Sequence, residues 1–242
     1  VFNWREIFGT HDDSDLHYNT PRVWIGQKLL TPSVEQEPQD FDLPFIRKPD
    51  KPISIQDAQA VLSNHYQNTP YDLTNPKNKN NATFRPISVA TTQESHLLEL
   101  NGENMIHWLA MGIAAQSVYV PFYPQGTKVP TMYKYGKETY STNSAYWVFK
   151  LASTLADRDW NKYGTDLSNA QDEAREKTTR LRYEYDQKLA KESDPAKRID
   201  LVNEANEKMA KTATDIFKEL SAKLITKQTG DSPLRFKMDP NL

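Results

Sequence analysis

Cysteine is absent from the 242-residue sequence. Within these residues, its absence excludes disulfides, zinc sites built from thiolates and a catalytic cysteine. Long apolar segments are also missing, because no run approaches the roughly 18 residues that a membrane-spanning helix needs. We therefore expect no membrane partner, and any cysteine chemistry has to come from outside these residues.

An excess of charge of either sign is missing as well. The chain has 30 Lys and Arg against 32 Asp and Glu, which gives a formal net charge of -2. This balance offers no basic surface for a phosphate backbone, so nucleic acid is not an expected partner. Hydrophobic residues make up 37% of the chain, which is somewhat polar for a globular protein. Residues 82–160 are the most apolar part, and we expect the core to need additional partner surface.

The strongest β pattern lies between residues 81 and 123. Four short runs rich in β-branched and aromatic residues follow one another there: Thr83–Ala90, His96–Leu100, Met105–Met111 and Gln116–Phe122. Asn101-Gly102 separates the second run from the third, and Asn-Gly between apolar runs is a strong hairpin signal. Gly112 separates the third run from the fourth. The region predicts a meander of about four antiparallel strands.

Helical periodicity dominates elsewhere. Ser54 and Ser144 are candidate N-caps for helices over Ser54–Tyr66 and from Ser144 to about Trp160. Further along, apolar residues at steps of three or four predict a long helical hairpin with arms Leu167–Glu192 and Pro195–Lys227. Asp194 is the expected N-cap of the second arm, with proline in the first helical position. The proline-rich residues 1–52 predict a packed, mostly irregular arm, with one helical turn or strand over Arg22–Leu30.

Several separate blocks carry a resemblance to a known family. In order they read FRPISVATTQESHLLELN, IHWLAMG, SVYVPFYPQG and YSTNSAYWVFK, with NWREIFGTHDDSDLHYNTPRVW at the start and FKMDPNL at the end. These blocks resemble the C-terminal half of the dipeptidase A type of bacterial cysteine dipeptidase, over nearly the whole chain. Such enzymes are N-terminal-nucleophile hydrolases whose nucleophile is the first residue of the mature protein, a cysteine.

The resemblance implies a fold and a domain organisation. We expect the α+β class, with antiparallel strands forming part of a four-layer α-β-β-α sandwich and a long helical hairpin after it. Residues 1–160 would be the C-terminal portion of the hydrolase domain, and residues 161–242 would be the hairpin and tail.

The resemblance also implies an activity. The chain would be the C-terminal part of a cytoplasmic dipeptidase whose nucleophilic cysteine lies outside it, with no cofactor and no metal. Its partners would be dipeptide substrates, the missing N-terminal part of the same protein and further copies in a homo-oligomer. The alternative is a stand-alone, non-catalytic module for peptide binding or oligomerisation, which the missing nucleophile and the aromatic loops favour.

Arg85 is the candidate catalytic residue. It lies in a predicted strand with Phe84 and Ile87, and related cysteine amidohydrolases have an arginine on a comparable core strand near the nucleophile. A guanidinium there could lower the pKa of the thiol and hold a carboxylate or carbonyl by two hydrogen bonds. The structural alternative is an ion pair with Glu94 or Glu99.

Three other patterns attract attention and have ordinary explanations. Ser95 and His96 resemble part of a serine triad, but adjacent residues of a strand point to opposite faces. The cluster of His11, Asp12, Asp13, Asp15 and His17 matches neither a calcium-binding EF-hand loop nor a helical histidine pair for zinc, and its flanking residues indicate a solvated turn instead. Aromatic residues could line an apolar pocket, but core packing is the stronger interpretation for them; they are Trp108, Tyr119, Tyr123, Tyr146 and Trp147.

Overall fold

The computed structural model describes residues 7–9, 12–75, 77–80, 83–100 and 105–232. The chain divides into two compact units, Val1–Pro124 and Gln125–Leu242. The structure combines helices, a small antiparallel sheet and long C-terminal helices, which agrees with the expected α+β class. The four-layer sandwich and the boundary at residue 160 remain predictions. No helix in the described ranges combines the length and the apolar character that crossing a membrane requires.

Among the described residues, two complete helices and a sheet form most of the first unit. Helix α1 is Thr20–Leu30 and helix α2 is Ile55–Leu62. The strands are β1 (Glu94–Glu99), β2 (Ile106–Met111) and β3 (Val120–Phe122), in the antiparallel order β1-β2-β3. Short 3-10 turns cover Asp13–Leu16 and Ala114–Gln116. The element expected over Arg22–Leu30 is therefore a helix, which begins two residues earlier with proline in its first turn.

The predicted meander is right for three strands and wrong for the first. Residues 83–90 form no strand, because their backbone donors bond to loop partners instead of a neighbouring strand. The amide of Arg85 donates to the carbonyl of His17 at 3.0 Å, and that of Ser88 donates to the carbonyl of Asn64 at 3.0 Å. Pro86 has no amide hydrogen to contribute to a ladder. The predicted Asn101-Gly102 turn lies outside the described residues.

The predicted N-cap of α2 is confirmed. The Ser54 hydroxyl accepts from the Asp57 amide at 3.1 Å, while the Asp57 carboxylate accepts from the Ser54 amide at 2.9 Å. This reciprocal pair satisfies two backbone donors that the first helical turn leaves free. The helix ends at Leu62, however, so the prediction that it continues to Tyr66 is wrong. The φ angle of Tyr66 is +66°, which no right-handed helix accommodates.

Over the described residues 125–232, the second unit is formed by three helices. They are α3 (Ala145–Asp157), α4 (Trp160–Leu189) and α5 (Pro195–Gly230), preceded by a 3-10 turn over Thr131–Tyr133. The predicted hairpin is confirmed in α4 and α5, where buried residues recur at steps of three or four, although α4 begins at Trp160 and not at the predicted Leu167. The Asp194 carboxylate accepts from the amides of Ala196 and Lys197, which confirms this residue as the N-cap.

Packing and ion pairs hold the three helices together. The rings of Phe149 in α3 and Phe217 in α5 pack edge to face with their centroids 4.7 Å apart, and both side chains are buried. The Asp166 carboxylate in α4 lies 2.8 Å from Lys223 Nζ and 2.5 Å from Lys227 Nζ in α5. These contacts join sequence-distant turns, and the ring pair contributes on the order of 1 kcal/mol beyond its buried area.

The loop before α3 lies against α5. Asn203 Oδ1 accepts from the amides of Thr127 and Lys128 at 3.0 Å, and Glu207 Oε2 accepts from the amide of Thr131 at 3.1 Å. Gly126 allows this approach, because a Cβ there would lie 2.9 Å from Asn206 Nδ2 and 3.2 Å from Asn203 Oδ1. The loop backbone is therefore fastened to the helix at two points.

Candidate functional site

Arg85 lies on a loop whose backbone is fixed on both sides. Its amide donates to the carbonyl of His17, and its carbonyl accepts from the hydroxyl of Tyr66 at 3.0 Å. His17 Nδ1 lies 3.3 Å from the carbonyl oxygen of Thr83, which adds a further link between the two segments. The main chain of Arg85 is thus held rigidly although it belongs to no strand.

The guanidinium of Arg85 faces outward. The residue is exposed, and its Cζ lies 5.7 Å from the centroid of the Tyr18 ring, within cation–π range. The carboxylates considered as structural partners have other contacts. Glu94 contacts His96 Nδ1 at 3.1 Å, and Glu99 Oε2 accepts from Trp108 Nε1 at 2.9 Å. The donors of Arg85 can therefore reach a ligand in solution.

An aromatic cluster supports this loop from beneath. Its fully or nearly buried members are Trp24, Ile25, Leu43, Tyr66 and Phe84, with Tyr71 and Ile87 packed against them. The rings of Tyr71 and Phe84 approach to 4.4 Å between centroids, and Tyr66 meets Phe84 at 6.0 Å. Because Phe84 directly precedes Arg85, this packing fixes where the Arg85 side chain leaves the backbone.

Tyr66 is the residue that sequence reasoning missed. Its amide donates to Asn64 Oδ1 at 2.8 Å, an Asx turn that stabilises its left-handed backbone conformation. Burial raises the pKa of the Tyr66 hydroxyl, and the positive charge of Arg22 opposes this only in part. The hydroxyl therefore stays protonated and donates to Arg85. A positive φ at a buried tyrosine is unfavourable and persists because the surrounding bonds determine it. The only sequence signal for it was Asn64, a residue type that ends helices.

A second guanidinium lies near the same tyrosine. Arg22 Nε donates to the carbonyl of Tyr18, and its NH2 group donates to Asn19 Oδ1 at 2.9 Å. Arg22 is therefore engaged with the backbone and side chains of its own helix start. Of the two arginines, Arg85 is the one whose guanidinium is exposed to solvent.

The structure agrees with the argument against a serine triad. Ser95 Oγ lies 2.7 Å from the Tyr119 hydroxyl, whereas His96 Nδ1 contacts the carboxylate of Glu94. The two side chains have different partners on opposite faces of β1, as strand alternation predicts.

The acidic segment before α1 forms a turn. Asp12 Oδ1 accepts from the amide of Ser14 at 2.9 Å, and hydrogen bonds from the Ser14 hydroxyl and then its amide lower the pKa of Asp12. Asp13 and Asp15 continue this turn as part of a 3-10 segment, and His17 instead contacts the Arg85 loop. His11 lies outside the described residues. Among the side chains that are described, no three or more of His, Asp and Glu converge on a possible metal site.

The aromatic residues considered for a pocket are mainly core. Trp108, Tyr119 and Tyr123 are 4–6% exposed. Tyr146 and Trp147 are half-buried, and Trp147 Nε1 donates to the carbonyl of Lys137 at 2.8 Å. Core packing therefore accounts for the first three residues, in agreement with the favoured interpretation.

Comparison with known proteins identifies the class. The chain belongs to Peptidase family C69, and the model of that family matches residues 1–173. It is 32% identical over 251 aligned positions to "Probable dipeptidase" of Latilactobacillus sakei, covering 100% of this chain and 52% of that protein. It is 36% identical over 217 positions to "Probable dipeptidase A" of Streptococcus pyogenes serotype M18, covering 86% of this chain and 45% of the relative. "Dipeptidase A" of Lactobacillus helveticus is 28% identical over 98% of this chain and 51% of its own length. The chain thus spans about half the length of these relatives.

Proposed function

We propose that this chain is part of a cysteine-type dipeptidase that hydrolyses dipeptides to free amino acids. The observation that carries the proposal is the family match, together with relatives named dipeptidase that align with nearly all of the chain. Because these 242 residues contain no cysteine, the proposed nucleophile is an N-terminal cysteine from polypeptide outside them. The same proposal includes a cytoplasmic location, a homo-oligomer and the four-layer sandwich of N-terminal-nucleophile hydrolases.

The reaction balances without a cofactor. The thiolate attacks the carbonyl carbon of the peptide bond, and the C–N bond breaks as the leaving amine takes up a proton. Water then hydrolyses the thioester, which releases the second amino acid and restores the thiol. The free amino group of the cysteine is the nearest available base for these proton transfers.

Arg85 is the proposed substrate-binding residue in this chain. A dipeptidase has to recognise both charged ends of its substrate, because these ends distinguish two residues from a longer peptide. Arginine binds a carboxylate by two parallel hydrogen bonds, and the Arg85 guanidinium faces outward from a fixed backbone. We assign it to the C-terminal carboxylate of the dipeptide.

The test compares two substrates in the complete protein that contains this chain. We expect hydrolysis of a leucine-containing dipeptide and loss of activity after thiol alkylation. Arg85→Gln should lower kcat/KM for the dipeptide by roughly 10- to 150-fold, since a hydrogen bond to a charged group contributes about 1.5–3 kcal/mol. The same variant should lower kcat/KM much less for the corresponding dipeptide amide, which lacks the carboxylate.

Arg180→Gln is the matched control, because Arg180 is an exposed arginine that pairs with Glu176 on the surface of α4. It should leave both substrates unaffected. Dipeptide hydrolysis by the isolated 242-residue chain, or no hydrolysis by the complete protein, would overturn the proposed function. Equal losses on the dipeptide and its amide would remove Arg85 from carboxylate binding.

A further inference from the structure

Tyr18 presents an exposed ring beside the guanidinium of Arg85. The side chain of Tyr18 is 45% exposed, and its ring centroid lies 5.7 Å from Arg85 Cζ. Both residues belong to the unit Val1–Pro124. The pair therefore combines a charged group, to which the proposed function assigns the substrate carboxylate, with an apolar surface directly next to it.

The backbone holds these two side chains together. The carbonyl of His17, which directly precedes Tyr18, accepts from the Arg85 amide at 3.0 Å. The amide of Tyr18 donates to the carbonyl of Ser14 at 3.0 Å, and the carbonyl of Tyr18 accepts from Arg22 Nε. All of these bonds use main-chain atoms of the His17–Tyr18 segment. A substitution of the Tyr18 side chain therefore leaves the anchors of the segment in place.

A carboxylate bound to Arg85 would bring a substrate side chain close to this ring. Arginine holds a carboxylate by two parallel hydrogen bonds, which fixes the direction in which the rest of the ligand extends. The α-carbon is one bond from the carboxylate carbon, so the side chain of the C-terminal residue begins close to the surface beside the guanidinium. In this structure that surface includes the Tyr18 ring. Contact between the ring and an apolar side chain removes apolar area of both from water, which is favourable.

We propose that Tyr18 determines specificity for the C-terminal residue of the dipeptide and favours a large apolar side chain there. This inference rests on the proposed function, because it takes Arg85 as the residue that binds the carboxylate. The ring contacts the substrate but takes no part in breaking the peptide bond. A C-terminal glycine has no side chain to place against the ring, so it gains nothing from Tyr18.

The test compares alanyl-leucine with alanyl-glycine as substrates of the complete protein that contains this chain. The parent protein should have the higher kcat/KM for alanyl-leucine. Tyr18→Ala should reduce the ratio of the two kcat/KM values roughly 3- to 13-fold, as expected if one ring covers half of a leucine side chain. Tyr18→Phe keeps the ring and should keep the ratio of the parent protein.

Tyr183→Ala is the matched control, because Tyr183 is an exposed tyrosine on α4. It should leave the ratio of the two kcat/KM values unchanged. The Tm of each variant shows whether the protein is folded, and Tyr18→Ala should change it little because the side chain is half-exposed. The preference of the parent protein is a second measurement, and it does not depend on any variant folding.

Equal losses on both dipeptides in Tyr18→Ala would overturn the inference, since the ring would then act only by holding the guanidinium in place. A parent protein without a preference for alanyl-leucine would overturn it as well. In both of these cases the dipeptides are still hydrolysed, so the proposed function stands. A parent protein that hydrolyses neither dipeptide would instead refute the proposed function, and this inference with it.

Discussion

The two units of this chain are stabilised in different ways. In Val1–Pro124, hydrogen bonds between sequence-distant groups shape the loops, such as those from Tyr66 to Arg85 and from Ser88 to Asn64. In Gln125–Leu242, long helices bury apolar stripes at regular spacing. Single hydrogen bonds therefore determine the geometry of the candidate site, whereas many equivalent apolar contacts contribute to the stability of the helices.

The largest expected effect is the loss of a core ring in the helical unit. Phe217 is fully buried against Phe149, so Phe217→Ala should lower the free energy of unfolding by about 3–5 kcal/mol. Urea unfolding followed by far-UV circular dichroism measures the change. Tyr183→Ala, at a site 66% exposed, should stay within about 0.5 kcal/mol. Similar losses for both variants would mean that the helical unit is not organised around this core.

A smaller and more local effect is expected in the loop unit. Tyr66→Phe removes the hydroxyl that donates to the Arg85 carbonyl and should lower local stability by about 1–2 kcal/mol. Native-state hydrogen exchange of the Arg85 and Ser88 amides measures this opening, because both amides are hydrogen-bonded.

Amides of α5 should exchange unchanged in Tyr66→Phe. The control Tyr135→Phe alters a tyrosine that is 54% exposed, and it should leave the Arg85 and Ser88 amides as they are. Uniform destabilisation of both units by Tyr66→Phe would contradict the contrast between them.

The smallest expected effect concerns pH. Hydrogen bonds from Lys223 and then Lys227 lower the pKa of Asp166 from its usual 3.8. A carboxylate with a lowered folded-state pKa stabilises the fold above about pH 4, and this stabilisation is lost as the pH falls further. Asp166→Asn should therefore reduce stability at neutral pH by less than about 1 kcal/mol, because both lysines are partly exposed.

The measurement is urea unfolding of both proteins from about pH 6 down to pH 3. The difference between the parent protein and Asp166→Asn should shrink as the pH falls. A difference that is constant with pH would show that the aspartate acts through packing rather than through charge.

The helical unit was largely predictable because its signals are local. A stripe such as Ala170, Ala174 and Thr178 reports a buried helix face wherever the helix packs. Asp194 and the proline after it specify the start of α5 by local chemistry, and the structure agrees to the residue.

The segment at residues 83–90 shows where such reasoning stops. Its side chains do alternate, with Phe84, Pro86 and Ser88 buried and Arg85 exposed between them. Alternating burial is typical of a strand. It shows which side chains face the core, but it does not show which group each backbone amide bonds to. The amides bond to His17 and Asn64, which are distant in sequence. Arg85 could thus be chosen from the sequence, whereas its support by Tyr66 could not.

The two attachment points of the loop before α3 also set its length. Asn203 and Glu207 are one helical turn apart, which corresponds to about 6 Å along the axis of α5. The backbone from Lys128 to Thr131 has to cover that interval and present its amides at both ends. Inserting one residue between Lys128 and Thr131 would shift the loop amides along α5. The hydrogen bonds to Asn203 and to Glu207 could then not form at the same time. The spacing of two side chains on α5 thus determines how many residues the loop can have between its two attachment points.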